Sequence, residues 1–322
     1  MGAIPVIQSQ LMPPPVKDSF MRRASLHKKL ASIPKYPLTL LHARAGYGKS
    51  TALILFAHDI HTDACWYSVS PNDDDIIPFL TKLVHAIKAK FPAFGSPVLA
   101  ELDMLHQHIS DEQMWSLISM FVNELVGLKD EIVVILDDYH HVQKSMVIEK
   151  WMKHFLEYIP SNLHLVISSR TKPSWGILTS LKVKAELLEI KQNDLMLSMD
   201  EIEHLLEDIY EITITQQDLQ RIHQLTEGWA IAVHMLVGNM RNSDMPGGFL
   251  DNRSETLQDL FDFLALEVLS KQPFAIQEFL LKTSILDELA PEVCDAVLGT
   301  EDAQSVLQKL SRQNVFIQEI DG

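Results

Sequence analysis

The sequence predicts an α/β fold, in which a parallel β-sheet has helices on both faces, followed by a region that is mainly α-helical. Five short apolar runs alternate with helix-like segments, and these runs lack the apolar-polar alternation of strands with one exposed face. After about Asn193 the pattern changes, and the apolar residues recur mainly at helical spacing. The five predicted strands are residues 36–41, 64–69, 132–136, 163–168 and 185–189.

The intervening segments complete the predicted order of elements. Three consecutive prolines at positions 13–15 predict an extended arm over residues 1–16. In the C-terminal region, Ser198 and Glu201 have the spacing of a helix capping box. The predicted helices are residues 19–32, 51–57, 76–90, 111–128 and 148–158. A helix start at Ser198 is followed by a sequence of helical period to Arg241, a loop at 243–248, several short helices from 254 and a final strand at 315–320. We therefore predict domains at residues 1–195, 196–245 and 254–322.

Residues 43–50 carry the strongest chemical signal. They read Ala-Arg-Ala-Gly-Tyr-Gly-Lys-Ser, the phosphate-binding loop pattern with Ala in place of the first Gly. An ordinary glycine-containing turn with a surface lysine is the alternative, but the position between a predicted strand and a predicted helix favours nucleotide binding. The predicted nucleotide-binding residues of this loop are Arg44, Ala45, Gly46, Tyr47, Gly48, Lys49, Ser50 and Thr51. Lys49 would reach the β and γ phosphates, and Ser50 would bind Mg²⁺.

Two further predicted strands end in polar residues. The strand 132–136 leads into Asp137 and Asp138, at the sheet edge where ligands of open parallel sheets bind. Asp137 would hold Mg²⁺ together with Ser50, directly or through water, and Asp138 would orient or activate the attacking water. Ser168 ends the strand 163–168 and Arg170 follows it, and both would sense the γ-phosphate from the same edge. A plain strand end and a surface arginine are the alternatives for these two segments.

Composition limits the class of protein. The 322 residues hold 27 basic and 43 acidic side chains, for a net charge of −16, and residues 201–322 hold 22 of the acids but only 7 of the bases. A surface of that sign repels phosphate backbones, which argues against nucleic-acid binding by this part. Two distant cysteines and the absence of a signal peptide or a long apolar segment predict a cytoplasmic protein without a membrane segment. The His residues have no zinc-site spacing.

Taken together, several short motifs resemble those of one protein family. They are Ala45–Ser50, Cys65–Ser68, Leu136–His140, Ser168–Arg170, Thr226–Ala230, and the segments 267–269 and 278–286. This set is similar to the N-terminal ATPase region of the large MalT-type LuxR-family transcriptional regulators, which are STAND signal-transduction ATPases. The resemblance extends over roughly residues 12–320. It implies a P-loop NTPase sheet followed by an all-α lid and a winged-helix segment. It also implies that the winged-helix segment is truncated in this sequence.

The same resemblance implies roles that the residues alone do not. Arg23 would lie near the nucleotide base, and Gly228 and Trp229 would contact adenine or phosphate when the lid closes; core packing of the lid is an equal alternative for Trp229. ATP or ADP with Mg²⁺ would set the state of a slowly hydrolysing switch that self-associates. DNA would be bound only through a C-terminal domain outside this sequence. A conventional P-loop ATPase, a nucleotide kinase or a nucleotide-binding module without catalysis remain alternative functions.

Overall fold

The structure is a computed structural model of the chain. It describes residues 4–60, 64–105, 109–242, 269–270, 272–286 and 288–312. The chain divides into two compact units: the first unit is residues 1–43 with 48–195, and the second unit is residues 44–47 with 196–322. The predicted phosphate-binding loop is therefore shared between the two units along the chain, and each part of it is described with its own unit.

A five-stranded parallel sheet forms the centre of the first unit. Its strands are β1 (Leu38–His42), β2 (Ala64–Ser68), β3 (Ile132–Asp137), β4 (Leu163–Ser169) and β5 (Leu187–Lys191), in the order β2-β3-β4-β1-β5. Every residue of β3 and β4 is buried. Because successive side chains of a strand point to opposite faces, both faces of these strands are covered, as the apolar runs predict. The predicted parallel sheet is confirmed.

Helices connect the strands and continue to the end of the described chain. In the first unit they are α1 (Ala24–Leu30), α2 (Lys49–Asp59), α3 (Ile76–Lys88), α4 (Ser96–Met104), α5 (Asp111–Gly127), α6 (Met146–Glu157), α7 (Ile177–Val183) and α8 (Gln192–Leu195). In the second unit they are α9 (Met199–His204), α10 (Gln216–Thr226), α11 (Ala230–Asn242), α12 (Phe274–Thr283), α13 (Pro291–Leu298) and α14 (Ala303–Arg312). No helix among the described residues is both long and apolar enough to cross a lipid bilayer.

Several predicted elements differ from the observed ones. The predicted helix 19–32 begins only at Ala24, because Arg23 has an extended backbone with φ −99° and ψ 113°. The predicted strand 185–189 begins at Leu187, since Ala185 has a φ of +58°, which a strand does not accommodate. The predicted arm contains a short 3₁₀ helix at Gln8–Leu11. Helices α4 and α7 are short and were not predicted.

The second unit begins with the predicted capping box. The Ser198 hydroxyl accepts a hydrogen bond from the backbone N–H of Glu201, and the Glu201 carboxylate accepts one from the backbone N–H of Ser198. The region to Arg241, predicted from its helical period, is divided into α9, α10 and α11, with non-helical residues at 211–215 and 227–229. The predicted loop at 243–248 and strand at 315–320 lie outside the described residues.

Candidate functional site

Lys49 is held where β1 passes into α2. Gly48, the residue before α2, has a left-handed backbone with φ +79°, which glycine adopts without strain. The Lys49 ammonium donates a hydrogen bond to the carbonyl oxygen of Ala43 at 2.8 Å. Burial lowers the pKa of Lys49 to about 8, although the carboxylates of Asp138 and Asp137 favour its charged form. An anion placed here would meet a buried cation that lacks full hydration.

Asp137, the last residue of β3, is buried among hydroxyl groups. Its Oδ1 accepts hydrogen bonds from the hydroxyls of Ser50, at 3.1 Å, and of Ser168. Burial and repulsion by Asp138 raise the pKa of Asp137 to about 6, against the opposing effect of the Ser168 and Ser50 hydrogen bonds. The predicted metal-binding pair, Ser50 and Asp137, is thus in direct contact. Ser50 belongs to α2, Asp137 to β3 and Ser168 to β4.

The strand order explains how Ser168 reaches both carboxylate residues. Strand β4 lies between β1 and β3, so its C-terminal residues are next to the end of β3. The Ser168 oxygen donates to Asp137 and accepts a hydrogen bond from the backbone N–H of Asp138 at 3.0 Å. Asp138 has a φ of +59°, an uncommon conformation for a residue with a side chain. Ser168 therefore stabilises the turn that separates the two carboxylates, a role distinct from the predicted contact with the γ-phosphate.

The segment that carries Arg170 is fixed by a residue that the sequence did not predict. The amide oxygen of Gln143 accepts hydrogen bonds from the hydroxyls of Ser169 at 3.3 Å and Thr171 at 2.8 Å. Its amide nitrogen donates to the carbonyl of Lys172 at 3.3 Å. Gln143 thus binds residues on both sides of Arg170. The Arg170 charge contributes to the lowered pKa of Lys49, which places the guanidinium within electrostatic range of that ammonium.

A second cluster that the sequence did not predict is a set of hydrogen bonds around Glu149, near the end of β3. Tyr139 donates a hydrogen bond to Glu149 at 2.6 Å, and the indole of Trp175 donates to the other oxygen of the same carboxylate at 2.8 Å. Burial raises the pKa of Glu149, although both hydrogen bonds favour its charged form. Tyr139 belongs to the motif Leu136–His140, but its partner could not be predicted because Glu149 lies on α6.

The loop residues that belong to the second unit contact the start of α11. The indole N–H of Trp229 donates to the carbonyl of Ala45 at 2.9 Å, and the backbone N–H of Ile231 donates to the carbonyl of Gly46 at 3.0 Å. The rings of Tyr47 and Trp229 lie 6.2 Å apart and are tilted by 32°. Burial raises the pKa of Tyr47. Trp229 therefore binds the loop itself, an arrangement that neither predicted role for this residue included.

Gly46 and Gly228 both occupy positions with no room for a side chain. A Cβ on Gly46, whose φ is +78°, would lie 2.5 Å from Cγ2 of Ile231 and 2.8 Å from Nε1 of Trp229. A Cβ on Gly228, whose φ is +73°, would lie 2.3 Å from the carbonyl oxygen of Leu197. Leu197 in turn donates its N–H to the Gly228 carbonyl at 2.8 Å. Glycine at these positions permits close backbone packing.

Arg23, predicted near the nucleotide base, binds the end of the first unit. Its guanidinium donates to the carbonyl oxygens of Leu195 at 2.8 Å and Asp194 at 3.4 Å. Arg44 and Thr51 are partly buried, Arg44 in the second unit and Thr51 on α2 of the first. The described residues contain no group of three or more His, Cys, Asp or Glu side chains placed to hold a metal ion. The base-contact role of Arg23 stays a prediction.

Comparison with known proteins relates the chain to one family of regulators. A family model described as the MalT winged helix domain matches residues 265–322. The chain is 30% identical over 318 residues to the HTH-type transcriptional regulator MalT of Yersinia pestis (strain Pestoides F), and equally to that of Yersinia enterocolitica. This chain is similar to the MalT-type regulators. The resemblance predicted from the motifs is confirmed, and the aligned region covers 98% of the chain but 34% of each relative.

Solved structures show the same fold at lower identity. A Walker-type ATPase of Pyrococcus abyssi has a TM-score of 0.64 at 16% identity, with 96% of this chain and 94% of that one covered. A STAND protein with a tetratricopeptide repeat sensor from Pyrococcus horikoshii has a TM-score of 0.51 at 16% identity, with 94% and 40% covered. The predicted fold class is confirmed: the parallel sheet with its helices has the fold of the Walker-type ATPase, and the MalT winged helix domain model matches the C-terminal residues.

Proposed function

We propose that the chain is an ATP-binding and slowly hydrolysing switch module of a transcriptional activator. The observation that carries this proposal is the contact between Ser50 and Asp137 beside the buried ammonium of Lys49. These residues supply a cation for phosphate and two oxygen ligands for a metal at one edge of the sheet. The similarity to MalT supports a role for this module within a regulator of transcription.

The residues at this edge fit a magnesium ion. Mg²⁺ prefers oxygen ligands and usually takes only one or two from the protein, with the remainder from water and nucleotide phosphates. Ser50 and Asp137 would hold it, and a divalent cation would offset the cost of burying the Asp137 carboxylate. When bound, the ion would supply charge stabilisation to the phosphates.

The chain's own groups would carry out hydrolysis in defined roles. Asp138 would orient a water molecule and accept its proton as the water oxygen bonds to the γ-phosphorus and the bond to the bridging oxygen breaks, which releases ADP. Lys49 and Arg170 would stabilise the negative charge that develops on the phosphoryl oxygens. Ser168 and Gln143 hold the turns that carry Asp138 and Arg170.

We further propose that the nucleotide state controls a lid formed by residues 196–245. In this proposal Arg23, Gly228 and Trp229 respond to bound nucleotide, and ATP and ADP favour different states of the lid. Only a group that contacts the two states differently can shift their populations, and the γ-phosphate is that group. Self-association in the cytoplasm, and DNA binding through a further domain, would follow in the whole regulator. The predicted domains 1–195, 196–245 and 254–322 belong to the same proposal.

Nucleotide binding by the purified chain tests this function. Lys49→Ala should weaken ATP binding about tenfold or more, because it removes charge-assisted hydrogen bonds to phosphate. Lys28→Ala is the control, since Lys28 is an exposed lysine of α1. Titration calorimetry with ATP and ADP measures both affinities. Equal affinity in Lys49→Ala and the wild type would refute the phosphate-binding assignment.

Asp137→Asn tests the metal and hydrolysis roles separately. The variant keeps an oxygen that can accept the Ser50 and Ser168 hydrogen bonds but loses the negative charge. Nucleotide should still bind, whereas Mg²⁺-dependent release of inorganic phosphate should fall strongly. Phosphate release at the wild-type rate would refute the role of Asp137. Fast turnover by the wild type in the presence of a small acceptor would instead indicate a kinase, and nucleotide binding without hydrolysis would indicate a non-catalytic module.

A further inference from the structure

We propose that Trp229 and the backbone N–H of Ile231 act as positioning groups for phosphate binding, by orienting two peptide N–H groups of the phosphate-binding loop. This inference rests on the proposed nucleotide binding and explains how the phosphate-binding loop is held in the orientation that binds phosphate. Both groups and the loop residues 44–47 belong to the second unit. In this proposal Trp229 affects phosphate binding through its hydrogen bond to the loop and does not contact the nucleotide base.

The geometry of the peptide bond carries the first step. The carbonyl of Ala45 and the N–H of Gly46 belong to one peptide group, and the carbonyl of Gly46 and the N–H of Tyr47 belong to the next. Both peptides are trans, so in each group the carbonyl and the N–H point in opposite directions. Because Trp229 and Ile231 bind the two carbonyls, the two N–H groups face away from α11.

The direction of these N–H groups decides whether the loop can bind an anion. A phosphate-binding loop functions by directing successive backbone N–H groups at the phosphate oxygens. A peptide that rotates by half a turn presents its carbonyl oxygen there instead and repels the anion. Two hydrogen bonds on adjacent carbonyls oppose that rotation at Gly46, the residue whose lack of Cβ makes it easiest.

Close packing supports the same conclusion. Gly46 lies so near Ile231 and Trp229 that a Cβ would overlap both side chains, and Tyr47 is buried with its ring beside the indole. The loop segment is therefore held by backbone hydrogen bonds, by exclusion of any side chain at position 46 and by ring contact. Trp229 is half-buried, and its N–H already has a partner in the loop.

The test compares ATP with pyrophosphate, which has no base. Trp229→Phe keeps an aromatic ring beside Tyr47 but removes the indole donor. If Trp229 orients the loop, the variant should bind ATP and pyrophosphate more weakly by the same factor, about three- to tenfold for one hydrogen bond. Trp66→Phe is the control, because it removes a buried indole donor to Ser68 and should leave both affinities unchanged. Titration calorimetry measures both ligands.

Two results would overturn the inference. Weaker ATP binding with unchanged pyrophosphate binding would indicate that Trp229 contacts the base, and unchanged affinity for both would indicate no role for its donor. Failure of the wild type to bind either ligand would instead refute the proposed function itself, so the two failures are distinguishable.

A second measurement on the wild type covers the case in which Trp229→Phe does not fold. Coupling between two sites is reciprocal, so if the Trp229 hydrogen bond favours phosphate binding, pyrophosphate must favour that hydrogen bond. Saturating pyrophosphate should therefore slow the exchange of the Trp229 indole proton with solvent, observed in ¹⁵N-labelled protein by NMR. The indole of Trp115, which lies on α5, should exchange at an unchanged rate. Unchanged or faster exchange at Trp229 would contradict the inference.

Discussion

Replacement of Gly46 by alanine should reveal how tightly the loop packs against α11, and Gly48→Ala is a matched control. The two glycines have φ values of +78° and +79°, so the left-handed backbone of an alanine would lower the stability by about 1–2 kcal/mol at both positions. A Cβ on Gly48 has no atom within 4 Å, whereas one on Gly46 would lie 2.5 Å from Cγ2 of Ile231. Overpacking of this kind adds about 1–3 kcal/mol. Gly46→Ala should therefore destabilise the protein by about 1–3 kcal/mol more than Gly48→Ala does.

A double-mutant cycle identifies the cause of the difference. Ile231→Ala removes Cγ2, the atom nearest the added Cβ, so in that background the cost of Gly46→Ala should fall by about 1–2 kcal/mol. Urea unfolding followed by tryptophan fluorescence, without nucleotide, measures the four free energies of unfolding. If Gly46→Ala costs the same with Ile231 or Ala at position 231, the added Cβ does not clash with this side chain and the reasoning fails. Equal costs at Gly46 and Gly48 would refute it more directly.

Two further changes test groups of the first unit. Gln143→Ala should lower phosphate release with little effect on ATP affinity, because it frees the residues on both sides of Arg170; a loss confined to affinity would contradict this role. Burial alone would raise the pKa of Glu189, but hydrogen bonds from Lys172 and His42 lower it to about 2. This stabilisation is complete above about pH 4.5 and is lost towards pH 2. The stability advantage of wild type over Glu189→Gln in urea should thus shrink over that range, and a constant advantage would refute the assignment.

The strands of the sheet could be predicted because each is a short, mainly apolar run. A run such as residues 132–136 can satisfy its hydrogen bonds and bury both faces only inside a parallel sheet, so burial confirms what the pattern indicates. Elements whose limits depend on a single backbone angle were predicted less well. Ala185, with a φ of +58°, delays the start of β5, and the extended Arg23 delays the start of α1. Neither residue type signals such a conformation.

The residues of the candidate site that belong to local sequence patterns could be predicted, whereas their partners on distant segments could not. The motif around Lys49 has defined chemistry at a defined spacing, and the ends of two apolar strands indicated Asp137 and Ser168. Their partners depend on strand order: Ser168 meets Asp137 only because β4 lies between β1 and β3, which no local pattern encodes. Gln143 escaped prediction for a related reason, since a single loop glutamine carries no pattern and acts through residues 169–172 of another segment.

The acidity of the C-terminal region agrees with a backbone-mediated role for Trp229. Residues 201–322 hold 22 acidic and 7 basic side chains, so their side chains give little attraction to a triply or quadruply charged nucleotide. Hydrogen bonds to the carbonyls of Ala45 and Gly46 need no positive charge, because they act by orienting peptide dipoles that then face the anion. An acidic region can in this way favour phosphate binding without contacting phosphate.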